Sequence, residues 1–245
     1  VAALIDRDRV IDRTVSGYGF GYDWPCMENS VFRKSVGGLD ASETLAANYL
    51  AGEGYSHTGG NANWYHSSDT DKAKPLTVRF AVDSEDVELI HACDAIVSSL
   101  KAIGIKTEVT AATGTEYTAL FLSGEYDYGF FRLYTGFCPD LSGMFANGSI
   151  FNYNGYDASD ARYAAGRLLK EWRQQGSGSG YAAEFAALAE ARLENLFEIF
   201  KNELPFDGLY MRANCLLISE RVSVGEKTGT QAWNIFDEVQ EWYIS

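Results

Sequence analysis

The 245-residue sequence predicts an α/β fold with a mixed, mostly parallel sheet flanked by helices, and three observations carry that prediction. Period-two and helix-period hydrophobic patterns alternate as strand, helix, strand, helix, strand between Leu76 and Tyr134, and such alternation builds parallel strands joined by right-handed crossovers with helices over the sheet. Helix punctuation falls between these patterns, with Asp83 and Ser84 offered as N-caps and Gly104 and Gly124 as stops. The composition, 46% hydrophobic with 14% aromatic residues, suffices to bury a real core.

Leu4, Ile5, Val10, Ile11 and Val15 fall at near-helical spacing while Asp6, Arg7, Asp8, Arg9 and Asp12 occupy the other face, so a helix opens the chain and Gly17 and Gly19 end it. From Ser16 to Pro25 glycine alternates with aromatics, which reads as loop chemistry. A second helix runs from Ser42 to about Gly52 on Leu45, Tyr49 and Leu50, and the polar stretch from His57 to Asp71 reads as a long surface loop.

The clearest strand follows: Leu76, Val78, Phe80 and Val82 alternate with Thr77, Arg79 and Ala81. Val87, Ile90, Ile96, Val97, Leu100 and Ile103 continue at helical spacing, and Ile105 to Thr110 alternates again. A helix starting at Thr113 or Thr115 carries Tyr117, Leu120 and Phe121, and a third strand spans Tyr126 to about Tyr134. Later come helical patterns over Ala158–Gln174 and Tyr181–Asn202, joined by a glycine–serine connector at Gly176–Gly180 too short to separate domains. Pro205 halts the last helix, Leu209–Met211 and Cys215–Ser219 read as short strands, and Trp233–Ser245 is acidic and aromatic.

Twenty Lys and Arg against thirty-four Asp and Glu give a formal net charge of -14. That balance repels phosphate backbones and anionic lipid, which argues against nucleic acid and a membrane surface as partners. No stretch approaches the roughly 20 apolar residues of a membrane span. The chain opens abruptly inside a helical pattern, so a targeting segment is expected upstream. Cys26, Cys93, Cys138 and Cys215 are widely spaced and form no C-x-x-C, which indicates neither a zinc site nor a disulfide framework.

Catalytic motifs are missing from the sequence. His57, His66 and His91 do not form H-E-x-x-H; His57 and His66 share one loop, where a fold-back would bring them together, while the plainer reading is polar loop residues. Gly176–Gly180 contains the letters of G-x-S-x-G between two helices, whereas a nucleophile elbow needs a strand-to-helix turn. There is no P-loop, and no carboxylate pair stands out. The expectation is a binding protein with no catalytic residue, no metal and no cofactor.

Open α/β sheets bind ligands beyond the carboxyl ends of their strands, where crossover loops and helix N-termini converge. That rule selects the segments after the three strands, and the last is the richest: Arg132, Tyr134, Phe137, Cys138 and Asp140 bring a cation, two aromatics, a thiol and a carboxylate into nine positions. Such a mix can stack on a solute and pair with its charge. Spacing alone equally allows a capped loop with Tyr134 and Phe137 in the core.

The order of segments resembles the family 5 extracellular solute-binding proteins, the peptide/nickel type. Ala3–Ile11 resembles that family's A-x-A-I-D-R-x-x-I helix, Leu45–Tyr55 its A-x-x-L-L-A-E-A-G-Y, and Leu100–Val109 its L-x-x-I-G-I-x-V-x-x. Gly124–Asp127 resembles G-x-[FY]-D, Pro139-Asp140 with Phe145 resembles P-D-P-x-x-x-[FL], and Tyr153–Asp160 resembles N-Y-x-x-x-x-x-D. The resemblance implies a periplasmic-binding-protein-like (type II) lobe: residues 1–220 as the second lobe of a two-lobed clam-shell, and 221–245 as a C-terminal segment returning to the first lobe. It further implies a small-molecule or peptide ligand, an ABC permease as partner, and an extracytoplasmic location with a lipid anchor upstream.

In peptide-binding members the loop before P-D-P bears a Trp and an Asp that pairs with the peptide ammonium. An ungapped placement on Pro139-Asp140 puts Tyr134 at the Trp position and Phe137 at the Asp position, keeping the stacking ring and losing the charge. Sliding to a Cys-x-Asp pattern lets Asp140 supply that carboxylate instead. Leu141 stands where the family has its second Pro. The alternative function is a ligand-sensing or scaffolding module of the same fold that feeds a regulator. An isolated lobe is also expected to expose aromatics around Tyr18–Trp24 and Tyr134–Phe137.

Overall fold

The computed structural model describes residues 1–22, 41–57, 62–132, 198, 206–213, 219–223 and 243–244. The helices expected at 158–174 and 181–202, the strand at 215–219 and most of the acidic C-terminal stretch lie outside the described residues, apart from single positions. Two compact units are present, Val1–Met211 and Arg212–Ser245. In the second, β8 (Val222–Ser223) pairs antiparallel with β9 (Tyr243–Ile244).

The opening pattern splits into a 3-10 turn over Ala2–Leu4 and α1 over Arg7–Val15. Asp6 makes the break: its extended backbone leaves the turn while its carboxylate accepts the Arg9 amide at 3.0 Å, capping α1. Ser16 and Gly17 then take left-handed backbone, and the chain reverses.

The reversal leads into β1 (Gly19–Gly21), where a loop was expected, and β1 pairs with β7 (Tyr210–Arg212). Part of that alternation is a strand, and its glycines face α1. A Cβ at Gly19 would meet the Met211 carbonyl at 3.1 Å and Val15 at 3.2 Å, and one at Gly21 would meet Arg7 at 3.4 Å. Glycine lets β1 lie flat along α1, running antiparallel to it.

α2 (Glu43–Gly52) begins as expected after Ser42, whose hydroxyl accepts the Leu45 amide. The 57–71 stretch is more structured than a surface loop: β3 (Tyr65–His66) pairs antiparallel with β2 (Tyr55–Ser56). Trp64 is buried, and its indole N–H donates to the Ile103 carbonyl at 2.7 Å. A single buried aromatic with a partner 39 residues away is invisible to local polarity. His57 and His66 flank that hairpin without joining in a metal cluster among the described residues; His57 lies on Trp64 and His66 edges onto Tyr55.

The central sheet is the one the sequence predicts. β4 (Thr77–Asp83) lies between β5 (Lys106–Ala112) and β6 (Tyr128–Gly129), parallel to both, with α3 (Val87–Ala102) and α4 (Gly114–Ser123) as crossovers. β6 is shorter than the expected Tyr126–Tyr134. The cap of α3 is Asp86 and not Asp83 or Ser84: Asp86 accepts the Leu89 amide at 3.1 Å, while Asp83 accepts the Glu85 amide inside the preceding turn. Gly124 ends α4 in left-handed backbone.

The core gathers on the side of β4 that carries Val78, Phe80 and Val82, against Ala92, Cys93, Ile96, Val97 and Leu100 of α3, with Leu4, Ile5, Val10, Trp64, Ile105 and Phe130 in the same cluster. Ala81, pointing the other way, is also fully buried. β4 is therefore covered on both faces at its centre, while Arg79 on the Ala81 face stays exposed.

Candidate functional site

The chain segments leaving β4 and β6 at their carboxyl ends meet. From the first come Asp86 and Glu88, at the start of α3; from the second comes Arg132. Arg132 donates from Nε to Asp86 Oδ2 and from Nη2 to Asp86 Oδ1, both at 2.7 Å, and from Nη1 to Glu88 Oε2 at 3.0 Å. This is a two-pronged guanidinium–carboxylate match with a third bond alongside. Because Asp86 also caps α3, one side chain fixes both the helix start and the end of the third strand segment.

Tyr210, on β7, brings its hydroxyl to 3.4 Å from Glu88 Oε2. Rings line the ground beneath: Phe80 against Phe130, Phe121 against Phe131, and Phe131 against Phe206, with centroids 6.1 to 6.3 Å apart. The Tyr117 hydroxyl donates to the Phe130 carbonyl and ties α4 to the same segment.

Each ion at the strand ends favours the charged form of the other. The Arg132 guanidinium, hydrogen-bonded to it, holds the Asp86 carboxyl below its ordinary value, and Asp86 raises the Arg132 guanidinium further above neutrality. Burial pushes the Tyr210 phenol up. Arg132 is thus engaged inside the chain: its guanidinium holds two elements together at the place where a ligand cation was expected.

The sign of the pH dependence follows. A carboxyl that ionises lower in the folded chain than in the unfolded one contributes stability above its unfolded value of about 4, and that contribution is lost as pH falls through the lower folded value. Asp86→Asn keeps a capping side chain and removes the charge. At pH 7 it is expected to cost about 1 kcal/mol, since the pair is partly exposed, and the gap from the parent chain should close as pH falls below about 4. Urea denaturation at several pH values reads both; a gap independent of pH would refute the charge pairing.

Of the residues expected at the site, the structure places Arg132; Tyr134, Phe137, Cys138 and Asp140 lie outside the described residues. Asp86, Glu88 and Tyr210 were not singled out from sequence. The strand-end rule did select the segment after β4, and the signal there was the Asp-x-Glu at positions 86–88 opening a helix.

Solved structures share this arrangement of strands and helices. The oligopeptide-binding protein AppA from Bacillus subtilis, in complex with a nonapeptide, overlays with a TM-score of 0.62 at 15% identity, over 100% of this chain and 46% of its own. NikA from Brucella suis, in complex with Fe(III)-EDTA, gives 0.67 at 14% identity, over 86% and 40%. The periplasmic binding protein MelB from Agrobacterium fabrum, in complex with stachyose, gives 0.65 at 14%, over 85% and 32%.

The fold is periplasmic-binding-protein-like.

This chain spans less than half the length of any of these three structures. No family model and no curated protein matches it by sequence. The periplasmic-binding-protein-like sheet runs β5-β4-β6, and its strand-end cluster occupies the position that open α/β sheets use for ligands. Among the described residues no helix is long and apolar enough to cross a membrane.

Proposed function

We propose that the chain is the second lobe of a family 5 solute-binding protein, the receptor component of an ABC importer, and that it closes on a peptide or similar small organic solute. The observation that carries this reading is the overlay of the entire chain on just under half of an oligopeptide-binding protein, together with the ordered run of family motifs in the sequence. Residues 1–220 form the lobe and 221–245 return to the first lobe. The ligand lies in the cleft between lobes and the closed form docks on a permease. The protein works outside the cytoplasm, anchored by a lipid on a segment preceding Val1.

On this reading Arg132 is the foundation of the ligand loop, and Tyr134, Phe137, Cys138 and Asp140 are its contact residues. Tyr134 stacks on the solute. Phe137 offers no carboxylate to a peptide ammonium, which favours solutes held through shape and stacking.

The test uses the full-length protein. Thermal shift and small-angle scattering against peptides, sugars and metal chelates are expected to show stabilisation and compaction with one class; no response to any class would refute a transport receptor. With the solute in hand, Tyr134→Ala is expected to weaken binding by about 1–3 kcal/mol while leaving the fold intact. Unchanged affinity would move Tyr134 into the core.

A further inference from the structure

A recessed surface lies between α1 and β1: an open groove of about 400 Å³. One wall is α1, with Asp8 and Asp12 one helical turn apart. The other is the backbone of Gly17, Gly19 and Gly21, with Phe20 between. Phe20 is 50% exposed and the neighbouring Tyr18 62%. Among the described residues neither Asp8 nor Asp12 makes an ion pair or accepts a side-chain hydrogen bond, and β1 has β7 on one side and no strand on the other.

We propose that this groove docks an extended segment of a partner protein, added as a strand along the edge of β1 that has no strand beside it among the described residues, and carrying two basic side chains two residues apart.

The geometry selects that occupant. A strand edge with unsatisfied amides and carbonyls accepts another extended chain, and side-chain spacing then supplies specificity. β1 runs antiparallel along α1, since Gly19 lies near Val15 and Ile11 while Gly21 lies near Arg7. A segment paired to β1 therefore also runs alongside α1. Four residues of helix rise about 6 Å, and two residues of strand about 6.6 Å, so alternate side chains of the added strand come level with Asp8 and Asp12. Two carboxylates without internal partners call for cations at those positions. The intervening side chains point to the other face, where Phe20 and Tyr18 offer apolar contact. A third lysine or arginine in register would find no further carboxylate on this wall. The groove shares no residue with the Asp86–Arg132 cluster, so this inference stands apart from solute capture.

The probe is a capped, fluorescein-labelled heptapeptide of alternating valines with lysines at its third and fifth positions, titrated against the chain by fluorescence anisotropy. Saturable binding is expected. The double variant Asp8→Asn, Asp12→Asn should weaken it about five- to tenfold, the sum of two exposed charge pairs. Both positions are exposed, so the variant keeps its fold, checked by circular dichroism. The same peptide with glutamates for lysines should not bind, and N-methylation of its alternate amides should abolish binding by blocking the edge bonds. Three results would each overturn the proposal: no saturation at about 1 mM peptide, equal affinity for the double variant, or binding that survives N-methylation on both sets of alternate amides.

Discussion

Arg7→Ala is expected to cost about 3–5 kcal/mol, the loss typical of stripping one partner from a buried ion pair. Arg7 donates from Nη2 to Asp207 Oδ1 at 2.7 Å and from Nε to the Gly208 carbonyl at 2.9 Å, with side-chain exposures of only 13% and 10% for the two ions. The alanine variant takes the guanidinium fork away from a largely buried carboxylate and from the Gly208 carbonyl. Arg7→Lys retains the charge but not the fork, and should recover only part of the loss. Urea denaturation gives the magnitude, and amide exchange at Tyr22, whose N–H donates to the Leu209 carbonyl, reports whether the 206–211 segment has come loose. A loss below about 1 kcal/mol would place the pair with surface salt bridges instead.

Phe80→Ala is expected to cost a comparable amount, about 3–5 kcal/mol, through lost burial and the cavity left behind. Phe80 is 1% exposed in the middle strand and packs its ring on Tyr128 and Phe130. Neighbouring strands hold the backbone on both sides, so the site has little freedom to collapse. Cys93 offers a second readout. It belongs to the same buried cluster, and burial pushes its thiol up to about 12. In the parent chain it should resist alkylation; in Phe80→Ala, peptide mapping should find it labelled faster. Unchanged labelling with a large stability loss would mean the cavity stays closed to reagent.

The central sheet was legible because β4, α3 and β5 each satisfy local and global demands at once. The Val78, Phe80, Val82 alternation is both a strand period and the core face, and Gly104 is a stop both in sequence and in space. What was hidden depended on distant partners. β1 was misread because the residues it turns toward α1 are glycines, whose lack of side chain permits the close approach and leaves no apolar period to read. Trp64 was misread because its partner is the end of α3. At the site, the sequence reading selected the ends of the strands and assigned Arg132 to a ligand, whereas the structure engages Arg132 with Asp86 and Glu88. Nothing local to Arg132 reveals carboxylates 44 and 46 residues earlier in the chain.

The Arg7–Asp207 contact also orders events on the ribosome. Synthesis at about 5–20 residues per second separates the two residues, 200 apart, by about 10–40 s. Throughout that interval α1 exists without the segment that anchors it, and β1 without β7. The central β4-α3-β5 layer is therefore complete in the nascent chain well before β7 arrives to pair with β1.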